Sequence, residues 1–134
     1  MRILGGMANR YELNYDWSKL GPTEWTDFSV VTLQVDLHSH HRGAAVRSAI
    51  DGWWDAMPKD AESEMFPVGE EVAYDGGCRF PDPVRVNDHH VTAWIVSQGQ
   101  DAFDSIAHYA EEMRGIAEKA DPDVIITWTE LPHR

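Results

Sequence analysis

Five of the seven histidines fall in two short runs, His38, His40 and His41 in LHSHH and His89-His90 in DHHV. A neutral imidazole offers a borderline donor to zinc, nickel or copper, and three nitrogen or oxygen donors suffice for an open site. A metal so held lowers the pKa of a bound water and supports hydrolysis. His38, His40, His89 and His90 therefore form a candidate metal set for zinc or another divalent transition metal. On that reading the chain is a small metal-binding protein or a metal-dependent hydrolase. The spacing matches neither HExxH nor a zinc finger. The competing account is plainer: histidines at strand ends often face solvent, and neighbours such as His40 and His41 point in different directions. His108 lies inside a helical stretch and reads as a surface residue.

The second chemical signal is charge. Twenty-three acidic against 11 basic side chains give a net charge of −12 over 134 residues. Nucleic acid and anionic membrane repel such a chain, so neither is an expected direct partner. The excess is uneven. From Asp51 to Asp75 there are Asp51, Asp55, Asp60, Glu62, Glu64, Glu70, Glu71 and Asp75 against Lys59 alone. These acids are either a solubilising surface or a docking face for a basic partner. In the second case the carboxylates stand in for phosphates, giving fast, salt-sensitive association. The leading expectation is a non-catalytic binding protein, with no cofactor, that inhibits or neutralises a basic, nucleic-acid-binding protein. An immunity protein or a virus-encoded anti-defence inhibitor is of that kind. Trp53 or Trp54 would anchor the contact if exposed, although core packing accounts for both.

The elements that must carry these residues follow from periodicity. Tyr11, Leu13, Tyr15 and Trp17 alternate with polar residues and predict a strand, stopped by Gly21-Pro22. Phe28–His38 is the longest predicted strand, with Val31, Leu33, Val35 and Leu37 on one face and Thr32, Gln34, Asp36 and His38 on the other. Val46, Ile50, Trp53 and Met57 then recur at helical spacing over residues 42–57, before Pro58. Residues 58–88 are rich in glycine and proline. There, either Glu71–Tyr74 and Cys78–Phe80 form a hairpin, or Val84–Val86 pairs with the next strand. His90–Ser97 is β-branched and aromatic, hence a strand. Asp101 is placed to cap a helix reaching Ala120, and Val124–Glu130 is the last strand.

Leaving aside the first segment, the order is strand, helix, strand, strand, helix, strand. That predicts an α+β, ferredoxin-like βαββαβ sandwich: an antiparallel sheet of order 4-1-3-2, both helices on one face, and an extra N-terminal strand. One such domain spans residues 1–134, with 1–9 and 131–134 loose. Strands one and three are then antiparallel neighbours, which brings His38 beside His89 and His90, with Asp121 and Asp123 at the same end. The open sheet face could serve a homodimer. RNA binding on that face needs exposed aromatic and basic groups, and Trp94 with Thr92, Thr127 and Thr129 supplies one aromatic and no base.

Asp36-Leu37-His38-Ser39-His40 resembles the DLHxH motif by which PHP-type phosphoesterases hold metal on the first strand of a barrel. The resemblance covers five residues, the chain is too short for a (β/α)₈ barrel, and no residue role is carried over. A Ser–His–Asp set can be drawn from Ser39, His89 and Asp36 by composition alone. No GxGxxG, Walker A loop or G-x-S-x-G elbow occurs. No apolar run is long enough for a transmembrane helix, and the first residues lack the apolar stretch of a secretory signal. The single Cys78 fits a reducing cytoplasm.

Overall fold

The sheet is built outward from β1 (Val30–His38), which has a neighbour on each side. The computed structural model describes residues 9–21 and 24–134. Strict alternation decides how β1 sits: Val31, Leu33, Val35 and Leu37 are buried, while Thr32, Gln34 and Asp36 are half-buried on the opposite face. Antiparallel to it runs β6 (His90–Gln98), in the register Leu33↔Ile95 and His38↔His90. On its other side lies β7 (Ile125–Glu130), also antiparallel, with Val35 opposite Trp128. Between β1 and β6 comes α1 (Gly43–Ala56), and between β6 and β7 comes α2 (Ala102–Ala120). Val46 and Ile50 of α1 and Ile106, Ala110, Met113 and Ala117 of α2 join the buried face of β1 and β6 in one apolar cluster. Both helices thus cover the same side of the sheet.

Four short strands complete an antiparallel sheet of seven: β2 (Lys59–Asp60), β3 (Val72–Asp75), β4 (Cys78–Phe80) and β5 (Val84–Asn87). The order is β2-β3-β4-β6-β1-β7, with β5 also paired to β6 beyond β4. The fold is therefore mixed α+β, a seven-stranded antiparallel sheet with two helices, and its order is more elaborate than a plain four-stranded sandwich. Both expected alternatives for residues 58–88 occur together. The β3–β4 hairpin turns on Gly76-Gly77, where Gly76 has φ +55°, a conformation that favours glycine. Gly43, the first residue of α1, meets a different demand: the Asp88 carbonyl lies so close that any Cβ would overlap it.

Two expectations at the ends of the chain are corrected. Residues 11–17 are not a strand. Asn14 accepts the amide of Asp16 through its side chain and that of Trp17 through its carbonyl, which bends the chain into a 3-10 turn at Trp17–Lys19. Of the alternating aromatics, Tyr11 and Trp17 make separate contacts and Tyr15 is exposed. The Tyr11 hydroxyl donates to Glu130 at 2.7 Å and its ring lies 5.6 Å from Trp128. Trp17 is fully buried, and its indole N–H donates to the Leu131 carbonyl. The tail 131–134 is likewise not loose. Arg134 exchanges two main-chain bonds with Val30, and His133 is buried, donating its amide to Leu20. Residues 1–8, also expected to be loose, lie outside the described residues, whereas Asn9 is buried and bonded. Asp101 occupies the N-cap position of α2, yet its side chain makes no capping bond.

Candidate functional site

The face of the sheet away from the helices carries the chemistry. Register puts His38 and His90 directly opposite one another, and their rings stack with centroids 4.0 Å apart at 28°. His90 is fixed from below. Its Nε2 lies 2.7 Å from Oδ1 of Asp36, which also accepts the Thr92 hydroxyl at 2.7 Å. The other carboxylate oxygen accepts the Gln34 amide at 3.1 Å, and Gln34 accepts the Trp94 indole N–H in turn. Burial works against a charged Asp36, but the bonds from Thr92, His90 and Gln34 outweigh it and hold its pKa below the ordinary aspartate value. The Thr92 and Gln34 donors suit an ionised carboxylate, which would accept an Nε2–H from His90 in turn.

His40, His41 and His89 form a separate group. His40 lies 4.3 Å from His41 and 5.9 Å from His89 between ring centroids. They sit in the loops at the end of β1, where His40 and His41 with Arg42, Asp121 and Asp123 line a cleft of about 270 Å³. The four candidate ligands are therefore split two and two rather than gathered. Among the described residues, no group of three or more His, Cys, Asp or Glu side chains is arranged to hold a metal ion. Nor does the Ser–His–Asp set assemble. Ser39 donates to Asp121 at 2.5 Å and accepts the Arg42 amide, whereas Asp36 holds His90. The Ser39–Asp121 pair is buried and ties the β1–α1 loop to the α2–β7 loop. There too burial opposes the charge, and the Ser39 hydroxyl and Asp123 amide bring the carboxyl below its usual range.

The acids between Asp51 and Asp75 do not make one surface. Asp51 pairs with Arg47 along α1, Asp60 pairs with Arg79, and Asp75 bonds to the Tyr109 hydroxyl at the hairpin tip. Asp55, Glu62 and Glu64 are exposed. Glu70 and Glu71 are placed differently: they border a groove of about 480 Å³ on the open face, together with Asp82. Its apolar surface comes from Phe66, Val84, Trp94 and Val96, and Arg134 lies at its edge. The groove exists because residues around Met65 and Phe66 fold onto Val30, Val96 and Trp94, making a small second core on the side that the helices leave uncovered. Trp53 and Trp54 are half-buried against the main core and do not line this groove.

Sequence reasoning placed Trp94 on the polar face of its strand but did not supply its surroundings. Phe66 and Asp82 come from the irregular 58–88 segment, where no period signals a partner. The carboxylate role of Asp36 was legible in principle, because Asp36 and His90 follow from the strand register. Cys78 is fully buried on β4, and burial pushes its thiol up to about 12, which makes it a poor nucleophile or ligand. Among the described residues no helix is long and apolar enough to cross a membrane. Comparison of the chain with family models, with curated proteins and with solved structures finds no match.

Proposed function

We propose that this protein binds a basic partner protein across the open face of its sheet and blocks the partner's nucleic-acid-binding surface. The observation that carries this is the groove: an apolar surface centred on Trp94 and Phe66, bordered by the exposed carboxylates of Glu70, Glu71 and Asp82. An aromatic anchor beside unpaired acids suits a partner that presents an apolar side chain among lysines or arginines. The net charge of −12 supports the same reading through long-range attraction of cationic surfaces. Of the eight acids expected to bind, Glu70 and Glu71 are kept as contact residues. Asp51, Asp60 and Asp75 are engaged within the protein and contribute field alone. We assign the protein to the cytoplasm on its one buried, unpaired cysteine. We also read β7, β1, β6 and the β4–β5 pair as a ferredoxin-like core carrying an inserted hairpin, a reading supported by the antiparallel neighbours of β1.

The test is capture from the native host at low and high salt, with wild-type protein and a Glu70→Lys/Glu71→Lys/Asp82→Lys variant as baits. A basic nucleic-acid-binding protein retained by wild type, released by salt and lost with charge reversal or Trp94→Ala is the expected result. Capture of no basic protein at either salt, or capture indifferent to these substitutions, overturns the proposal. A second copy of the chain is the other occupant of this face, since Val84, Val86 and Ile125 are exposed on its strands. Light scattering identifies that case.

A further inference from the structure

We infer that His38 and His90 chelate a divalent transition-metal ion on the open face, with Asp36 as the positioning group behind His90. The argument begins with the tautomer. Nε2 of His90 lies 2.7 Å from the Asp36 carboxylate, and the tautomer that donates its Nε2–H there keeps its lone pair on Nδ1. Imidazole ligands commonly donate their other ring N–H to a carboxylate, which orients the ring and raises its basicity. Asp36 is itself held by Thr92 and Gln34, so the orienting group is rigid before any ion arrives.

His38 supplies the second donor. It is the direct cross-strand partner of His90, its ring is 4.0 Å away, and it is exposed at the strand end. Chelation requires the exposed His38 ring to leave this stacked arrangement and turn its edge toward the ion. Two nitrogens from the protein leave the other positions to water, which explains why no three-residue cluster is needed. His40, His41 and His89 belong to the loop group and take no part. Nitrogen donors of this kind favour Cu²⁺ over Ni²⁺ and Zn²⁺ in affinity.

The experiment titrates protein carrying no polyhistidine tag with Cu²⁺ and with Zn²⁺ by calorimetry, and records the Cu²⁺ electron paramagnetic resonance spectrum. The expected result is one equivalent of Cu²⁺ coupled to two imidazole nitrogens, with Zn²⁺ bound more weakly at the same place. His38→Ala, a surface change, weakens binding at least tenfold, and Asp36→Asn weakens it about 10–100-fold by loosening His90. The His40→Ala/His41→Ala/His89→Ala variant binds as wild type does. Melting curves give an independent reading: Cu²⁺ raises the melting temperature of wild type and of the triple variant, but not of His38→Ala. Absence of saturable Cu²⁺ binding, binding that survives His38→Ala, or binding lost in the triple variant overturns the inference.

Discussion

Asn9 is the residue whose removal most directly tests how the edge of the sheet is closed. Among the described residues β7 pairs with β1 alone, and the main-chain groups on its other edge need partners of their own. Asn9 closes that edge with its side chain. Its Nδ2 donates to the Val124 carbonyl at 2.8 Å and to Glu118 at 3.0 Å, while its Oδ1 accepts the Ile126 amide at 3.0 Å. Asn9→Ala leaves Val124 C=O and Ile126 N–H unsatisfied in a site where Asn9 itself is 5% exposed. At about 1–3 kcal/mol for each buried orphan, with partial rescue by entering water, the expected loss is about 3 kcal/mol. For a chain of this size that lowers the melting temperature by about 10 °C. Urea denaturation of Asn9→Ala beside Glu12→Ala, an exposed neighbour in the same segment, measures it, and the neighbour should change stability by less than about 0.5 kcal/mol. Equal, small effects for both variants would refute the bracket and favour a segment held by Tyr11 and Trp17 alone.

Two further substitutions have worked signs. Gly43→Ala should destabilise by roughly 2 kcal/mol, because its Cβ overlaps the Asp88 carbonyl and backbone must move. In the same helix Gly52→Ala meets nothing within 4 Å and should stabilise by about 0.5–1 kcal/mol through helix propensity; thermal melts of the two variants should shift in opposite directions. Asp121 has a folded pKa below its unfolded value, so its contribution is complete above the unfolded aspartate pKa, about 3.9. That contribution is lost as pH falls through the lower folded value. Asp121→Asn should therefore flatten the acid limb of urea stability measured from pH 5 downward, and Ser39→Ala should flatten it partly; an unchanged limb in both would contradict the assignment.

The long elements were legible because one period governs each of them. Val31 to Leu37 alternate without interruption, and Ile106, Ala110, Met113 and Ala117 keep helical spacing, so tertiary contact had nothing to override. Residues 11–17 show the limit of the same rule. Their alternation is real, but Asn14 offers the backbone a local turn, so Tyr11 and Trp17 find separate partners while Tyr15 is left exposed. The tail failed for a different reason: four residues carry no period, and long-range bonds to Trp17, Leu20, Val30 and Thr32, with the burial of His133, fix them. The acids misled by contiguity. They are neighbours along residues 51–75, yet helix, hairpin and loop carry them to different places, so charge density along the chain did not become charge density on a surface.

The same geometry makes the two binding proposals separable. Thr32 borders the groove and His38 bears the metal pair, both on the open side of β1. Five residues of strand lie between these two, a span of about 20 Å. Trp94 is four residues from His90 along β6, about 13 Å, and Val84 at the near end of the groove pairs with Thr92, two residues from His90. Screening over a Debye length of about 8 Å therefore weakens direct repulsion between the two sites without removing it. Charge reversal at Glu70, Glu71 and Asp82 should change Cu²⁺ affinity less than His38→Ala does, and His38→Ala should leave partner capture unchanged. Gln34 and Asp36 are one physical link between the two ends, since Gln34 bonds both the Trp94 indole and the carboxylate that holds His90. Thr92, paired with Val84 of the groove and bonded to Asp36, is a second link, so Gln34→Ala should weaken any coupling between partner and metal while retaining both separate bindings.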